Sequence, residues 1–237
     1  MVYTKLVLFG VFAVLLTGCA STIQARNVQS SGFLGEYRSL VTQGEKGNEA
    51  LLRYRNPKAD WASYDKILLE PVAIWDDQTH RLSSDQREDL QRLADNFYYT
   101  LYLKLSKDYQ LVEKPTPGVM RIQAAITQAE KSYTSLAFAS KAIPQLQAVN
   151  TAWTFASGKP AFAGEVAIEF MVHDASTGEL LAAGIDRRVG GRMLLDRQVL
   201  NPWGDVKNSL EFWTDATVYR LCTLRGEAHC VEPKALF

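Results

Sequence analysis

The sequence has few residues of the kinds that mark a catalytic or metal centre. It contains three cysteines and three histidines in 237 residues, and the histidines (His80, His173 and His229) are scattered along the chain. A Gly-x-Ser-x-Gly elbow, a Walker loop, a dinucleotide glycine fingerprint and a His-Glu-x-x-His motif are all missing. The sequence therefore contains no recognisable active-site motif, and we expect no catalytic residues, no metal site and no cofactor.

The chain also lacks a net charge, since 26 basic residues face 26 acidic ones. Proteins that bind nucleic acid, or that are drawn to anionic membranes by a long-range field, usually carry a marked positive excess. Neutrality argues against both, and we expect no nucleic-acid partner. A composition of 47% hydrophobic and 22% charged residues is that of an ordinary folded protein.

Long apolar stretches are scarce, and the one clear run lies at the start of the chain. Leu6 to Leu16 form eleven apolar residues after Lys5, too few to span a bilayer and well sized for a signal peptide. The run ends in Leu16-Thr17-Gly18-Cys19, which resembles a bacterial lipobox. The resemblance implies that residues 1–18 are a lipoprotein signal peptide and that Cys19 is lipidated, which anchors the protein to the membrane.

Residues 19–32 comprise the lipidated cysteine and small polar residues, which predict a flexible tether. A dozen extended residues reach at most about 40 Å, which keeps the folded part near the membrane. Lipoproteins that this chain resembles are retained in the inner membrane by an aspartate after the cysteine. Ala20 stands there instead, so we expect a lipid-anchored protein on the periplasmic face of the outer membrane.

The two remaining cysteines, Cys222 and Cys230, have seven residues between them. An even pair in an oxidising compartment predicts a disulfide. One alternative is a metal site with His229 as a third ligand, but zinc sites favour closer cysteine spacing and need a fourth ligand. The other alternative is two buried free thiols.

Alternation of apolar and polar residues, and two stretches of helical period, predict one α+β domain over residues 33–237. The fold class that we predict is a single mostly antiparallel sheet with two main helices packed on one face. The predicted strands cover 66–74, 109–113, 119–130, 164–174 and 179–190, and the predicted helices cover 83–107 and a stretch that Asn201 caps.

Several short motifs recur in an order and spacing that resemble a known family. They are Ser31-Gly32-Phe33-Leu34 with Tyr37, Leu52-Arg53-Tyr54 before Trp61 and Tyr64, Glu70-Pro71-Val72 with Trp75, Glu169, Asp174 to Glu179, Asp186-Arg187-Arg188 and Gly190. The chain resembles an uncharacterised bacterial lipoprotein family, catalogued as domain of unknown function 3313. The resemblance implies an envelope lipoprotein of Gram-negative bacteria and brings no catalytic residues with it.

Residues 134–158 are the candidate binding surface, because these 25 residues carry a single charge, Lys141, between two strands. Uncharged loops of this length are usually functional or disordered. Three interpretations stay open: a lid over the sheet's open face, a surface for a protein partner, or a membrane-inserting hairpin. The candidate binding residues are Leu136, Phe138, Trp153 and Phe155.

Two classes of function follow for the whole chain, with a third that is weaker. The leading hypothesis is a non-catalytic binding or envelope-assembly module that is tethered to the membrane and has an envelope protein as partner. The second is an envelope hydrolase built on His173, Asp174 and Asp186, although Asp174 before Ser-Thr-Gly is typical of a turn. The third is a secretion or pore-forming subunit.

Overall fold

The structure is a computed structural model that describes residues 22–45, 49–75, 84–133, 143–157, 159–191 and 201–233. The strands within these residues are β1 Thr22–Gln24, β2 Thr42–Gln43, β3 Leu52–Arg55, β4 Lys66–Leu69, β5 Ala73–Ile74, β6 Gln110–Leu111, β7 Val119–Glu130, β8 Glu165–Asp174 and β9 Leu180–Gly190. The α-helices are α1 Ser84–Leu105, α2 Pro144–Ser157 and α3 Gly204–Leu224, and short 3-10 helices span Gly35–Leu40 and Trp61–Ser63. In the described ranges no helix is long and apolar enough to cross a membrane.

The sheet follows the order β2-β3-β9-β8-β7-β4-β6, with β1 also paired to β9 and β5 to β7. The long central strands β7, β8 and β9 are antiparallel, as predicted. However, β4 and β5 run parallel to β7, and β6 runs parallel to β4. The prediction of a mostly antiparallel sheet is therefore wrong, and the sheet is mixed. The cause is helix α1, which crosses over the sheet and returns the chain in the direction of β4.

The helices α1 and α3 pack on one face of the sheet and enclose the larger core. Their buried stripes follow the helical period and comprise Leu90, Leu93, Ala94, Phe97, Leu101 and Leu105 on α1 and Val206, Leu210, Trp213 and Leu221 on α3. The predicted pair of main helices becomes three, because α2 forms within the candidate binding surface.

A smaller core lies on the opposite face of the sheet, under the chain between β1 and β2. Leu34 is 1% exposed there, among Met171 and Ile185 of the central strands. The carboxylate of Glu169, fully buried on β8, accepts hydrogen bonds from the backbone N–H groups of Ser31 and Leu34. This carboxylate therefore fixes the chain across the sheet.

The segment predicted to be a flexible tether is partly built into the sheet. Strand β1 pairs with β9, and the Thr22 hydroxyl lies 2.8 Å from that of Ser209 on α3. Strand pairing at residues 22–24 and the Glu169 carboxylate at residues 31 and 34 therefore hold this segment against the domain. The polar composition alone predicts a flexible segment. The chain from Ala20 onward contains every described element and both cores, so we expect it to fold without residues 1–19.

Candidate ligand-binding site

A cavity of 260 Å³ lies between the sheet and the C-terminal half of α3. Its size is just below the roughly 300–1,000 Å³ that is typical of small-molecule sites. Most of the lining is apolar and belongs to the larger core, with Trp61, Phe97, Leu101, Ile122, Ala124, Ile168, Phe170, Val172, Ala182, Trp213 and Leu221 among its walls. The cavity is therefore a gap in the larger core itself.

Small residues on β9 make this gap. Ala182 and Gly184 stand opposite Val172 and Phe170 of β8. A Cβ atom at Gly184 would lie 2.6 Å from the Phe170 ring, so only glycine leaves room for this ring. Phe170 and Ala182 are half-buried, although they belong to central strands of the sheet. Ala182 lines the cavity and leaves part of the space between β9 and α3 unfilled, whereas Gly184 is covered by the Phe170 ring.

Helix α3 forms the roof of the cavity with residues that recur on one side of the helix. Trp213, Thr217, Arg220, Leu221 and Leu224 all line it, at the spacing of three and four residues that places side chains together. The Thr217 hydroxyl donates a hydrogen bond to the carbonyl oxygen of Trp213 at 2.8 Å. The Thr217 hydroxyl therefore already has an acceptor within the helix.

Four charged side chains, from β3, the residues before it and α3, line the cavity. Arg53 and Arg55 alternate on β3 and so share a face, and they line the cavity with Arg220 and Glu49. Glu49 lies 2.6 Å from the guanidinium of Arg53, and Glu45 lies 3.8 Å from it. The charge of Arg53 is therefore compensated within the fold.

Arg220 stands differently, because no hydrogen bond or ion pair reaches its guanidinium from the ranges that the structure describes. Burial lowers the pKa of Arg220, and the nearby charge of Arg53 lowers it further, against the opposing effect of Asp186 and Glu49. Arg220 is half-buried, and a cation that is partly removed from water is less stable without a contacting anion than with one. This end of the cavity is thus suited to receive a negative group.

A buried carboxylate fixes one wall of the cavity. Asp186 on β9 accepts hydrogen bonds from the side chain of Gln24 at 2.7 Å, the backbone N–H of Leu51 at 3.1 Å and the indole of Trp213 at 2.7 Å. It therefore joins β1, the start of β3 and α3. Burial raises the pKa of Asp186, although Arg188 and these donors act in the opposite direction.

Arg188 accompanies this carboxylate in the interior. Its guanidinium lies 4.0 Å from Asp186 and 3.6 Å from the centre of the Phe212 ring. Burial lowers the pKa of Arg188 to about 10, despite the opposing effect of Asp186. The arginine holds its charge against the carboxylate and the face of the ring, which is a favourable site for a guanidinium.

The hydrolase hypothesis depends on three residues that the fold separates. His173 contacts the Tyr37 ring in the smaller core, whereas the Asp174 carboxylate accepts a hydrogen bond from the Tyr64 hydroxyl at 3.0 Å. Asp186 pairs with Ile168, six residues along β8 from Asp174 and thus about 20 Å away. These residues form no joint acid–base set.

Asp174 instead organises the turn between β8 and β9. Its carboxylate accepts hydrogen bonds from the backbone N–H groups of Ser176 and Thr177, both at 2.8 Å, and from the Ser176 hydroxyl at 2.7 Å. Gly178 completes the turn at a positive φ of 76°. The turn interpretation of Asp174 is therefore confirmed.

Residues 29–217 match the family that is described as protein of unknown function (DUF3313). The chain belongs to this family. The match confirms the family resemblance that the short motifs indicate. The disulfide pair, Cys222 and Cys230, lies outside the matched residues. Among proteins of curated function, none matches the chain.

Solved structures that resemble the fold are distant. A PelC dodecamer from Paraburkholderia phytofirmans gives a TM-score of 0.36 at 12% identity, covering 75% of this chain and 96% of that one. A DUF4136 family protein from Bacteroides thetaiotaomicron gives 0.31 at 9% identity, covering 68% and 92%. Neither likeness is strong enough to support an argument about function.

The motifs that carry the family resemblance serve mainly to hold the fold. Phe33 contacts Trp75 edge-to-face, with ring centres 5.5 Å apart. Glu169 fixes the chain at Ser31, and Asp186 joins three elements. Of these motif residues, Arg53, Tyr54 and Trp61 also line the cavity. The family pattern thus contains both structural residues and part of the cavity wall.

Arg220 and the small residues of β9 are the site residues that the sequence pattern does not single out. Arg220 follows Trp213 by seven residues and adjoins Leu221, within the apolar stripe of α3. A charged residue beside the buried apolar residues of a helix can indicate a binding site, although most such residues are solvated. Ala182 and Gly184 resemble ordinary strand residues until their neighbours are known.

Cys222 and Cys230 form a disulfide, with Cα atoms 5.6 Å apart. The predicted bridge is therefore present, and the alternatives of free thiols and of a metal site with His229 are wrong, because each sulfur is bonded to the other. The bridge closes a small loop after α3.

Replacing both cysteines by serine should lower the free energy of unfolding by about 2–3 kcal/mol. Without the bridge, the unfolded chain gains the conformational entropy that closing a loop of about nine residues had removed. Urea unfolding of the oxidised protein measures the change. The reduced wild type should unfold at the same urea concentration as the Cys222→Ser/Cys230→Ser variant. A variant as stable as the oxidised wild type would contradict the prediction.

The other predicted site residues are only partly described. Cys19, Leu136 and Phe138 lie outside the described residues. Trp153 and Phe155 belong to α2, a helix without a charged residue, and Trp153 is 53% exposed. A lid closed over the sheet would bury this tryptophan, so its exposure favours a surface that is open to a partner.

Proposed function

We propose that the protein is a lipoprotein of the bacterial outer membrane, anchored on the periplasmic face, that binds an apolar ligand in the cavity without catalysis. The observation that carries the proposal is the cavity between the sheet and α3, with its apolar walls and charged mouth. The separation of His173, Asp174 and Asp186 favours binding over the hydrolase hypothesis.

The walls supply a direct test, because Trp61 and Trp213 line the cavity. The chain from Ala20 onward, checked for cooperative urea unfolding, is titrated with 11-bromoundecanol, whose bromine quenches indole fluorescence at contact. We expect saturable quenching with one molecule bound per chain. Quenching that rises linearly without saturation would show that the cavity does not bind.

The lipobox supports the membrane anchor. The described fold begins at Thr22, three residues after Cys19, so a lipidated Cys19 would hold the domain against the membrane surface. A short connection of this kind suits a protein that takes its ligand from the membrane or from a partner in it.

Changing Cys19→Ser should abolish membrane anchoring and give an uncleaved precursor or a soluble protein, since no thiol remains to be acylated. Cell fractionation with mass spectrometry of the intact protein measures this. The wild type is expected to lack residues 1–18 and to carry lipid on Cys19. A wild-type form in the membrane that still begins at Met1 would contradict the anchor.

We further propose that α2 is the surface for an envelope protein partner. The helix carries no charge, and Val149 and Trp153 are 58% and 53% exposed. Large exposed apolar residues grouped on one element are typical of interaction sites.

A photoreactive amino acid at position 153 should crosslink to one specific envelope protein in living cells. The matched control carries the same group at Tyr99 on α1, which is 59% exposed and outside the candidate surface. Identical crosslinked products from both positions, or none from position 153, would contradict a partner surface on α2.

A further inference from the structure

The cavity has an apolar interior and a charged mouth. Its inner walls are aromatic and aliphatic side chains that belong to the larger core, such as Trp61, Phe97 and Ile168. A sugar or another polyhydroxylated ligand needs hydrogen-bonding partners for each buried hydroxyl, and these walls offer almost none. An aliphatic chain needs only apolar contact, which they supply.

The mouth carries more positive than negative charge. Arg53, Arg55 and Arg220 line the cavity against a single lining carboxylate, Glu49, and Glu49 is already held by Arg53 at 2.6 Å. In the described part of the chain, no ion pair engages Arg55 or Arg220. The surplus charge therefore belongs to these two guanidinium groups.

The carboxylate of Asp186 does not remove this surplus. It attracts Arg220 at a distance, but its oxygens accept hydrogen bonds from Gln24, Leu51 and Trp213, and its nearer guanidinium is that of Arg188. Arg220 therefore keeps its planar set of donors available. Guanidinium groups bind carboxylates and phosphates through two parallel hydrogen bonds, so these are the anions that such a site selects.

We propose that the ligand is an anionic amphiphile: one aliphatic chain in the cavity, with a carboxylate or phosphate head held at the mouth by Arg220. This inference rests on the proposed binding function and names the ligand class for the same cavity. The chain supplies the apolar contact area, and the head supplies Arg220 with the anionic partner that it lacks among the described residues.

Four compounds with the same twelve-carbon chain test the head group: dodecanoate, dodecyl phosphate, dodecanol and dodecyltrimethylammonium. Each competes with 11-bromoundecanol for the chain from Ala20 onward, below its critical micelle concentration. We expect at least one of the two acids to bind at least tenfold more tightly than dodecanol, which corresponds to about 1.4 kcal/mol, and the cation to bind most weakly. The tighter acid identifies the head as carboxylate or phosphate.

Arg220→Gln separates the role of the charge from that of the cavity. The variant should lose at least tenfold in affinity for the preferred acid and change its affinity for dodecanol by less than about twofold. Arg87→Gln, at an exposed position on α1, is the matched control and should change neither affinity.

The possible failures differ in what they overturn. If dodecanol binds the wild type as tightly as both acids, or if Arg220→Gln leaves acid binding unchanged, the anionic ligand class is wrong while the binding function stands. If 11-bromoundecanol itself shows no saturable binding, so that no competition can be measured, the proposed binding function is wrong.

Discussion

Replacing Asp186 with alanine is expected to lower the free energy of unfolding by about 3–5 kcal/mol, the range for breaking a buried charge pair. The substitution leaves three donors without their acceptor: the Gln24 amide, the Leu51 N–H and the Trp213 indole. It also leaves Arg188 buried at 2% exposure without its nearest anion. Urea unfolding monitored by circular dichroism measures the loss.

The matched control is Asp215→Ala on α3, where the carboxylate pairs with Lys104 and its side chain is 43% exposed. Exposed pairs of this kind contribute about 0–1 kcal/mol, so this variant should remain close to the wild type. Equal losses from both variants would show that the Asp186 network is not what joins β1, β3 and α3.

Ala182→Phe is expected to lower the affinity for 11-bromoundecanol by more than tenfold, or about 1.4 kcal/mol, because the new ring occupies the cavity. Ala182 lines the cavity from β9, and phenylalanine suits a strand. Without an existing cavity, this enlargement would overpack the core and cost about 1–3 kcal/mol of stability. With a cavity of 260 Å³, we expect the free energy of unfolding to stay near that of the wild type.

Quenching titration and urea unfolding of the same preparation separate the two effects. Ala228→Phe adds the same ring at an exposed position in the disulfide loop and should change neither quantity. A stable Ala182→Phe protein that still binds 11-bromoundecanol as the wild type does would place the ligand outside the cavity.

The regular elements follow from the sequence because their patterns are local. The helical period from Leu90 to Leu105 predicts a helix over 83–107, and α1 spans Ser84–Leu105. Alternating residues predict β7 at 119–130, and the structure has the same limits, Val119–Glu130. In each case the residues that face the core recur at the spacing of the helix or strand. The element can therefore be predicted without knowing which other elements pack against it.

Arrangements that depend on distant parts of the chain could not be predicted in this way. Alternation predicts that Leu181, Ala183 and Ile185 share a face, but a register shift between Val172 and His173 places Leu181 in the larger core and the other two in the smaller one. The parallel pairing of β4 and the packing of β1 likewise depend on tertiary contacts.

The candidate site is of the same kind. Its cavity lies between Ala182 of β9, which stands opposite Val172 of β8, and Trp213 and Arg220 of α3. These residues are far apart in the sequence, and each is ordinary by itself. Neither a sequence motif nor a hydrophobic period could have predicted that they are neighbours in the fold.

Native mass spectrometry of the protein isolated from its own envelope tests most directly whether the cavity holds a ligand in the cell. We expect the wild type to carry one bound amphiphile per chain with an acidic head, and the Ala182→Phe variant from the same preparation to carry none. A wild type that carries no bound molecule, or an equal amount of bound amphiphile on both proteins, would contradict a ligand in the cavity.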